Sequence, residues 1–432
     1  MADSNSLYGL SSTLPAKPDK CNVLVAHPGT QHSYQTALAF QEFGMLQYYV
    51  TGFYYKTSGV LARLVKLVPL EYAKKIERQL LRRRKDELDQ NLIRTFPLLE
   101  LIYVFSARLR YIQRWSGQVL RWRNRQFDES VARMVKATRP SAVICYDSCA
   151  LNTFKACKRT GSVAILDQSV GHLASGIKIL RDEAELHPEF ADTLSINVPE
   201  WLVEQCTAEA LAADRVLVAS EYVRNTLIEN GVSPSRIAII PYGVDVTRFY
   251  PATKRDDGTF RVLFVGGIGQ RKGIKYLLEA FRQLNLPGAE LVLVGGVIGG
   301  GDALKSYQGI FRHVPNVPYR EVHTVFQSAD IFVYPSLHEG SALAIYEALA
   351  SGLPVITTPN SGSVVRDGVE GFIVPIRDIE ALKEKMLLLY QNKDLRDQIS
   401  LQARKRAESF TWQAYRQRLG ALVQNIIQEN KS

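Results

Sequence analysis

Runs of four to six consecutive apolar residues recur along the chain, each followed by a turn rich in Gly, Ser or Asn and then by a stretch with helical spacing. A strand covered on both faces needs no polar alternation, so residues 22–26, 141–146, 162–166, 215–219 and 237–240 read as buried parallel strands, with 46–55, rich in Tyr and Val, as another. Residues 33–43 read as a helix that opens on Ser33 and stops at Gly44, and 150–159 and 221–229 read as helices too. A long helical region is expected over 177–213. After the turn-rich break Pro241-Tyr242-Gly243-Val244-Asp245 the alternation starts afresh. Strands are expected at 260–265, 291–294, 329–334, 355–357 and 368–374, and helices at 274–284, 343–350, 379–390, 395–408 and 412–427. Alternation of this kind predicts an α/β fold with parallel sheets.

The length of 432 residues exceeds one hydrophobic core and suits two domains. The boundaries predicted are 1–243 for the first domain, 244–408 for the second, and a terminal helix over 409–432 that packs back towards the first. The alternation fails over 59–126, which carries helix signal and almost no strand signal and reads as a helical insertion in the first domain. Charge sharpens this picture. The segment from Lys56 to Arg125 holds 17 Lys/Arg against 6 Asp/Glu, so it carries the whole net charge of +10. Leu101, Phe105, Leu109, Ile112, Val119 and Trp122 recur there at helical spacing, with Arg108, Arg110, Arg114, Arg121, Arg123 and Arg125 alternating and Trp115 adding bulk. Two readings stand open. A basic amphipathic segment suits an anionic membrane surface; equally, the apolar stripe packs on its own domain and the arginines are solvated. Nucleic acid is a poorer match, because no reading module accompanies the arginines.

Of five cysteines Cys145 and Cys149 are four apart, but no second pair completes a zinc site; the cysteines read as reduced thiols, and no metal site is expected. No run approaches the ~20 apolar residues of a spanning helix, and residues 1–20 lack the apolar centre of a signal peptide. A cytoplasmic protein is expected, peripheral on the inner membrane face if the basic segment binds there.

The candidate chemistry gathers in Tyr334-Pro-Ser-Leu-His-Glu-Gly-Ser-Ala-Leu-Ala-Ile-Tyr-Glu347. Glu339 falls in the turn between a buried strand and a helix. Gly340, Ser341 and Ala342 follow, and their N–H groups at the helix start make an anion site. Glu347 lies two turns further on, ~12 Å along the axis. Two acids flanking an anion site suit a ligand with hydroxyl-bearing ends and a phosphate between them. A second loop, Gly266-Gly267-Ile268-Gly269-Gln270-Arg271-Lys272-Gly273, lets backbone approach a phosphate that Arg271 and Lys272 would neutralise. It is neither a dinucleotide fingerprint nor a Walker loop. In the first half, Gly29 follows the first strand, and Asp167 and His172 follow a later one, where open α/β sheets bind ligands.

These residues resemble the retaining glycosyltransferases of family 4, known also as glycosyl transferases group 1. The resemblance runs from Ala213-Asp214-Arg215-Val216-Leu217-Val218 through Ile240-Pro241-Tyr242-Gly243-Val244-Asp245, the Gly-Arg-Lys-Gly loop and Ala329-Asp330-Ile331-Phe332-Val333-Tyr334-Pro335-Ser336 to Gly368-Val369-Glu370-Gly371-Phe372-Ile373-Val374-Pro375, about two fifths of the chain. It implies the GT-B fold, two facing Rossmann-like domains with the active site in the cleft between them. By the same resemblance Glu339 contacts the donor sugar, Glu347 holds the nucleotide ribose and Lys272 binds the diphosphate. Arg271 stands in for the family's arginine, whose place here is Gly267. The family's first-domain histidine maps by strand end to Asp167 and by residue type to His172, and the site is drawn with His172. Glycines often follow the first strand in the family, and Gly29 takes that role. The reaction implied is metal-independent transfer of a hexosyl group, with retention, from a UDP- or GDP-linked sugar and with no cofactor. The acceptor expected is lipid-linked or a glycan. A soluble small-molecule acceptor is the alternative within the class, and a catalytically silent scaffold or sugar-nucleotide sensor the alternative outside it.

Overall fold

The computed structural model describes residues 21–29, 31–55, 85–97, 99–100, 102–103, 116–252, 257–315 and 317–430. The first sheet contains β1 (Val23–His27), β2 (Leu46–Thr51), β3 (Ile93–Thr95), β4 (Ala142–Tyr146), β5 (Val163–Gln168), β6 (Arg215–Val218) and β7 (Ile237–Ile239). Their order is β3-β2-β1-β4-β5-β6-β7, and every pair is parallel. The second sheet contains β8 (Phe260–Val265), β9 (Ala289–Val294), β10 (Phe311–Val314), β11 (Ile331–Tyr334), β12 (Val355–Thr357) and β13 (Gly371–Ile373). Its order is β10-β9-β8-β11-β12-β13, again all parallel.

Both faces of each sheet are covered, which is why the strands read as unbroken apolar runs. In the first sheet Val23, Val25, Ile144 and Ile165 pack on one face, while Leu24, Ala26, Val143 and Leu166 pack on the other. Strand order reverses between β1 and β4 in one sheet and between β8 and β11 in the other. Ligands of open sheets bind beyond the carboxyl ends of strands at such points. The glycine loop follows β8 and the Glu339 turn follows β11, so both sit at the second reversal.

The chain crosses between the sheets at Gly243–Val244 and again near Thr411, and the crossings touch. The Val244 N–H donates to Phe410 O at 2.8 Å, and a Cβ on Gly243 would stand 2.4 Å from the Trp412 nitrogen. The helix Trp412–Glu429 then lies against the helix Ser33–Glu42 of the first domain. Tyr415 Oη and Tyr146 Oη both bond to Thr36 Oγ1, at 3.1 and 2.9 Å, and Arg416 Nη1 donates to Gln35 Oε1 at 2.8 Å.

Three expectations differ from the structure. The helical region over 177–213 is interrupted. A helix Leu173–Leu186 ends before Pro188, a 3₁₀ turn fills Pro188–Thr193, and a new helix Glu200–Ala212 starts after Pro199. Proline removes a helix donor and clashes with the preceding turn, so each break has its cause in the sequence. The segment read as purely helical contributes β3 at the sheet edge, where Ile93 is the buried residue. Third, its arginines are not all solvated. Arg123 is 8 % exposed and donates from Nη2 to Glu100 Oε2 at 2.9 Å. Arg121 stacks over the Trp201 ring, and Trp122 is exposed. These three lie on or beside the helix Ser116–Thr138. Residues 56–84 and 104–115, with most of the basic segment, lie outside the described residues. Among the described residues no helix is long and apolar enough to cross a membrane, and no cluster of metal-ligating side chains occurs.

Candidate active site

The site is assembled by two loops pressed together. The 3₁₀ turn Gln270–Lys272 ends at Gly273 with φ +71°, backed onto the Pro335 carbonyl so closely that a Cβ would stand 2.1 Å from it. Only glycine combines that conformation with that proximity. The Arg271 carbonyl in turn accepts from Leu337 N at 3.0 Å and from Ser336 Oγ at 3.2 Å. The turn carrying the cations and the turn carrying Glu339 are therefore one unit.

On this unit Glu339 meets both cations. Lys272 Nζ contacts Glu339 Oε2, and Arg271 Nη1 lies 3.1 Å from the same oxygen. Arg271 Nη1 also donates to His338 O at 2.8 Å. The Glu339 and Lys272 side chains are 17 % and 11 % exposed, and that of Arg271 37 %. Burial, then the Arg271 guanidinium, pushes the Lys272 ammonium down; the carboxylate touching it works in the opposite sense. Arg271 and Lys272 thus both face the one Glu339 carboxylate at the cleft.

Glu347 sits on the helix Leu343–Ala350, half-buried, apart from this cluster. Burial raises its carboxyl to about 8, against the pull of Arg248. The Arg248 guanidinium lies 3.9 Å from the centre of the Tyr319 ring, and Tyr319 feels the Glu347 charge. Arg248 and Tyr319 carry no motif in the sequence, and only the fold brings them to Glu347.

The small residues after Glu339 are partly committed. Ala342 N donates to Ser361 O at 3.1 Å, so that N–H is not open to an anion, contrary to expectation. The Ser341 hydroxyl bonds to Gly362 O at 2.7 Å and to Tyr346 Oη at 2.9 Å. Gly340 touches the first domain: a Cβ there would stand 1.8 Å from Ser169 O, and its carbonyl accepts from Ser220 Oγ at 2.6 Å. Gly267 packs beneath Ile298, 3.3 Å from where its Cβ would be. Loops of this half are also held from the first domain, Gln270 N donating to Thr193 Oγ1 at 2.9 Å and Gly300 N to Asp192 Oδ2 at 2.6 Å.

In the first domain the structure separates His172 from Asp167. His172 is 1 % exposed and caps its own helix, with Nδ1 accepting from Ala174 N at 3.3 Å and Nε2 lying 3.3 Å from Thr207 Oγ1. Both ring nitrogens are engaged within the first domain. Asp167 instead pairs with His32, Oδ2 to Nε2 at 2.9 Å. Gly29 lies in the turn after β1, where a Cβ would meet the His27 ring at 2.8 Å. The structure thus brings Glu339, Lys272 and Arg271 together, places Glu347 nearby on the next helix, and leaves His172 out of the group.

Residues 246–406 match the family model for glycosyl transferases group 1. The match covers 161 of the 432 residues, a little over a third of the chain, and that segment is similar to a glycosyl transferases group 1 domain. The matched segment holds every charged residue of the cluster just described. The chain is 29% identical over 233 residues to the putative colanic acid biosynthesis glycosyltransferase WcaL of Salmonella typhimurium, covering 49% of this chain and 57% of that one. It is 29% identical over 184 residues to the UDP-Gal:alpha-D-GlcNAc-diphosphoundecaprenol alpha-1,3-galactosyltransferase of Escherichia coli, covering 38% and 48%. The chain thus spans about half the length of these curated relatives. In three dimensions it superposes on Anabaena Alr3699/HepE, solved in complex with UDP and glucose, with a TM-score of 0.60 at 13% identity over 94% of this chain and 100% of that one. At that identity the likeness establishes the fold, which is GT-B.

Proposed function

We propose that the protein is a retaining family 4 glycosyltransferase that moves a hexosyl group from a nucleoside diphosphate sugar to a lipid-linked or polysaccharide acceptor. The observation that carries this reading is the Glu339 carboxylate set against Lys272 and Arg271. In the reaction the anomeric C–O bond to the diphosphate breaks, and negative charge grows on the leaving phosphate. Lys272 and Arg271 stabilise that charge, as donors aimed at a developing charge do. Glu339 contacts the donor sugar, and Glu347 the ribose. The acceptor oxygen bonds to the anomeric carbon on the face the diphosphate leaves, and the acceptor proton passes to a diphosphate oxygen. The protein's own cations fill the role a divalent ion would take, so chelators are expected to leave the rate unchanged.

The UDP in the Anabaena complex supports a uridine donor, and the diphosphoundecaprenol in the name of the Escherichia coli relative supports a lipid-linked acceptor. The basic segment from Lys56 to Arg125 supports a peripheral site on the inner, cytoplasmic membrane face, with the first domain binding the acceptor. The test is release of nucleoside diphosphate from a panel of UDP- and GDP-linked hexoses, wild type against Glu339→Ala, without acceptor and with membrane lipid extract. Donor-specific release that requires Glu339 and rises with lipid is expected. Donor binding without release under any acceptor would instead favour a sugar-nucleotide sensor. Equal sedimentation with anionic and neutral liposomes would remove the membrane part.

A further inference from the structure

The residue before Glu339 leaves its own domain. His338 is 5 % exposed, and its ring enters the first domain between two glycines. A Cβ on Gly176 would stand 2.4 Å from its Nε2, and one on Gly171 would stand 2.6 Å from its Cε1. On a third side Tyr222 Oη lies 2.6 Å from Nδ1, and the two rings meet edge to face at 74°. Burial, helped by Arg271 and Lys272, pushes the imidazole down to about 4. The Tyr222 hydroxyl and Nδ1 of this ring share one hydrogen bond.

Glu339 and Gly340 follow the same route. The Glu339 carbonyl accepts from Gly171 N at 3.3 Å, and Gly340 is pressed on Ser169 O. Gly176 lies within the helix Leu173–Leu186, where alanine is the better helix former. Glycine at this position is explained by the room that the ring needs, not by the backbone.

We infer that His338 is a positioning residue whose ring docks in a Gly171–Gly176–Tyr222 socket of the first domain, so that the Glu339 carboxylate takes its working position only when the two domains are closed. This rests on the reading of Glu339 as the acid that contacts the donor. His338 belongs to the domain holding the donor residues, and its socket to the other. Opening the cleft withdraws the ring and releases the backbone on both sides of Glu339. Closing the cleft seats it again, and a misplacement of about 1 Å at a reacting group is enough to cost on the order of 100-fold in rate.

The test uses the full chain and four proteins: wild type, His338→Ala, Gly176→Ala and the double variant. Three quantities are read: nucleoside diphosphate release, donor Kd by calorimetry, and the interdomain distance between a spin label on each domain. In Gly176→Ala the added methyl occupies the place of the ring. Its kcat is expected to fall about 100-fold, with donor Kd within about two-fold and the label distances shifted to longer values. Removing the ring as well relieves the clash, so the double variant is expected to regain about ten-fold over Gly176→Ala, as ring and methyl compete for one space. A double variant no faster than Gly176→Ala, or Gly176→Ala turning over as wild type does, overturns the inference. If wild type and Glu339→Ala behave alike on every donor, the functional reading fails instead. The label distances then decide the socket alone, and an unchanged distribution in Gly176→Ala overturns it.

Discussion

At the carboxyl edge of the second sheet, Glu339 shares one oxygen with Lys272 and Arg271, and more than a third of the Arg271 side chain reaches solvent. At the carboxyl edge of the first, Asp167 is bound by His32, and both are almost fully enclosed. The cover there is aromatic. The His32 ring lies 4.4 Å from that of Tyr242 and 5.3 Å from that of Tyr146, and Tyr146 also packs on His27 at 4.4 Å. Similar residue types at equivalent places thus serve different ends. Where a charged group can be reached from solvent, it is available to a ligand. Where polar side chains are bonded to one another and enclosed, they join helices to a sheet.

The largest test of this contrast is Glu339→Gln, with Lys272→Met beside it. Each is expected to cost on the order of 100- to 1,000-fold in diphosphate release with the melting temperature little changed. Next comes His32→Ala, which leaves the Asp167 carboxylate enclosed without its partner. Denaturant unfolding is expected to show a loss of about 3 kcal/mol, while donor affinity of the folded fraction holds. A rate loss as large as that of Glu339→Gln, at unchanged stability, would move the first edge into the chemistry and dissolve the contrast.

A smaller effect concerns Glu347, whose carboxyl burial lifts from 4.5 to about 8. The folded state holds that proton more tightly than the unfolded chain, so stability falls as pH rises from about 4.5 to about 8 and is fully reduced above. Glu347→Gln removes this term. Relative to wild type the variant is expected to gain stability progressively between pH 5 and pH 9 in thermal scans without ligand. A gain that does not vary with pH would show that the carboxyl ionises normally. Smallest is His172→Ala, which removes a helix cap. It is expected to cost about 1 kcal/mol and to leave turnover within about three-fold. A hundred-fold drop would return His172 to the site.

The same contrast explains what the sequence makes legible. Most strands of both sheets could be read, because those such as Val23–His27 and Phe260–Val265 are local apolar runs, whereas Phe311–Val314, with Arg312 and His313 inside it, is not. Glu339 and Lys272 could be picked out because each lies in a short loop between a strand and a helix. His32 could not be linked to Asp167, since 135 residues separate them. The edge strand Ile93–Thr95 has one buried side chain and so leaves no periodicity to read. Pro188 and Pro199 are different: both breaks in the long helical region stand in plain view. The commitment of the Ala342 N–H to Ser361 is tertiary, and helix-start rules see only the local chain.

The seating of the helix Trp412–Glu429 on the first domain has a consequence for synthesis. Gly420 lets this helix close on Phe43, with a Cβ only 2.5 Å from that ring, and its Tyr415 meets Thr36 in the interior. Until these residues leave the ribosome, the helix Ser33–Glu42 lacks its neighbour. Roughly 170 residues separate Gly243 from Trp412, and at common elongation rates they take on the order of 10–30 s to emerge. During that interval Thr36 and Gln35 lack the bonds that Tyr415 and Arg416 supply. A chain halted before Trp412 is therefore expected to leave the first domain without this cover.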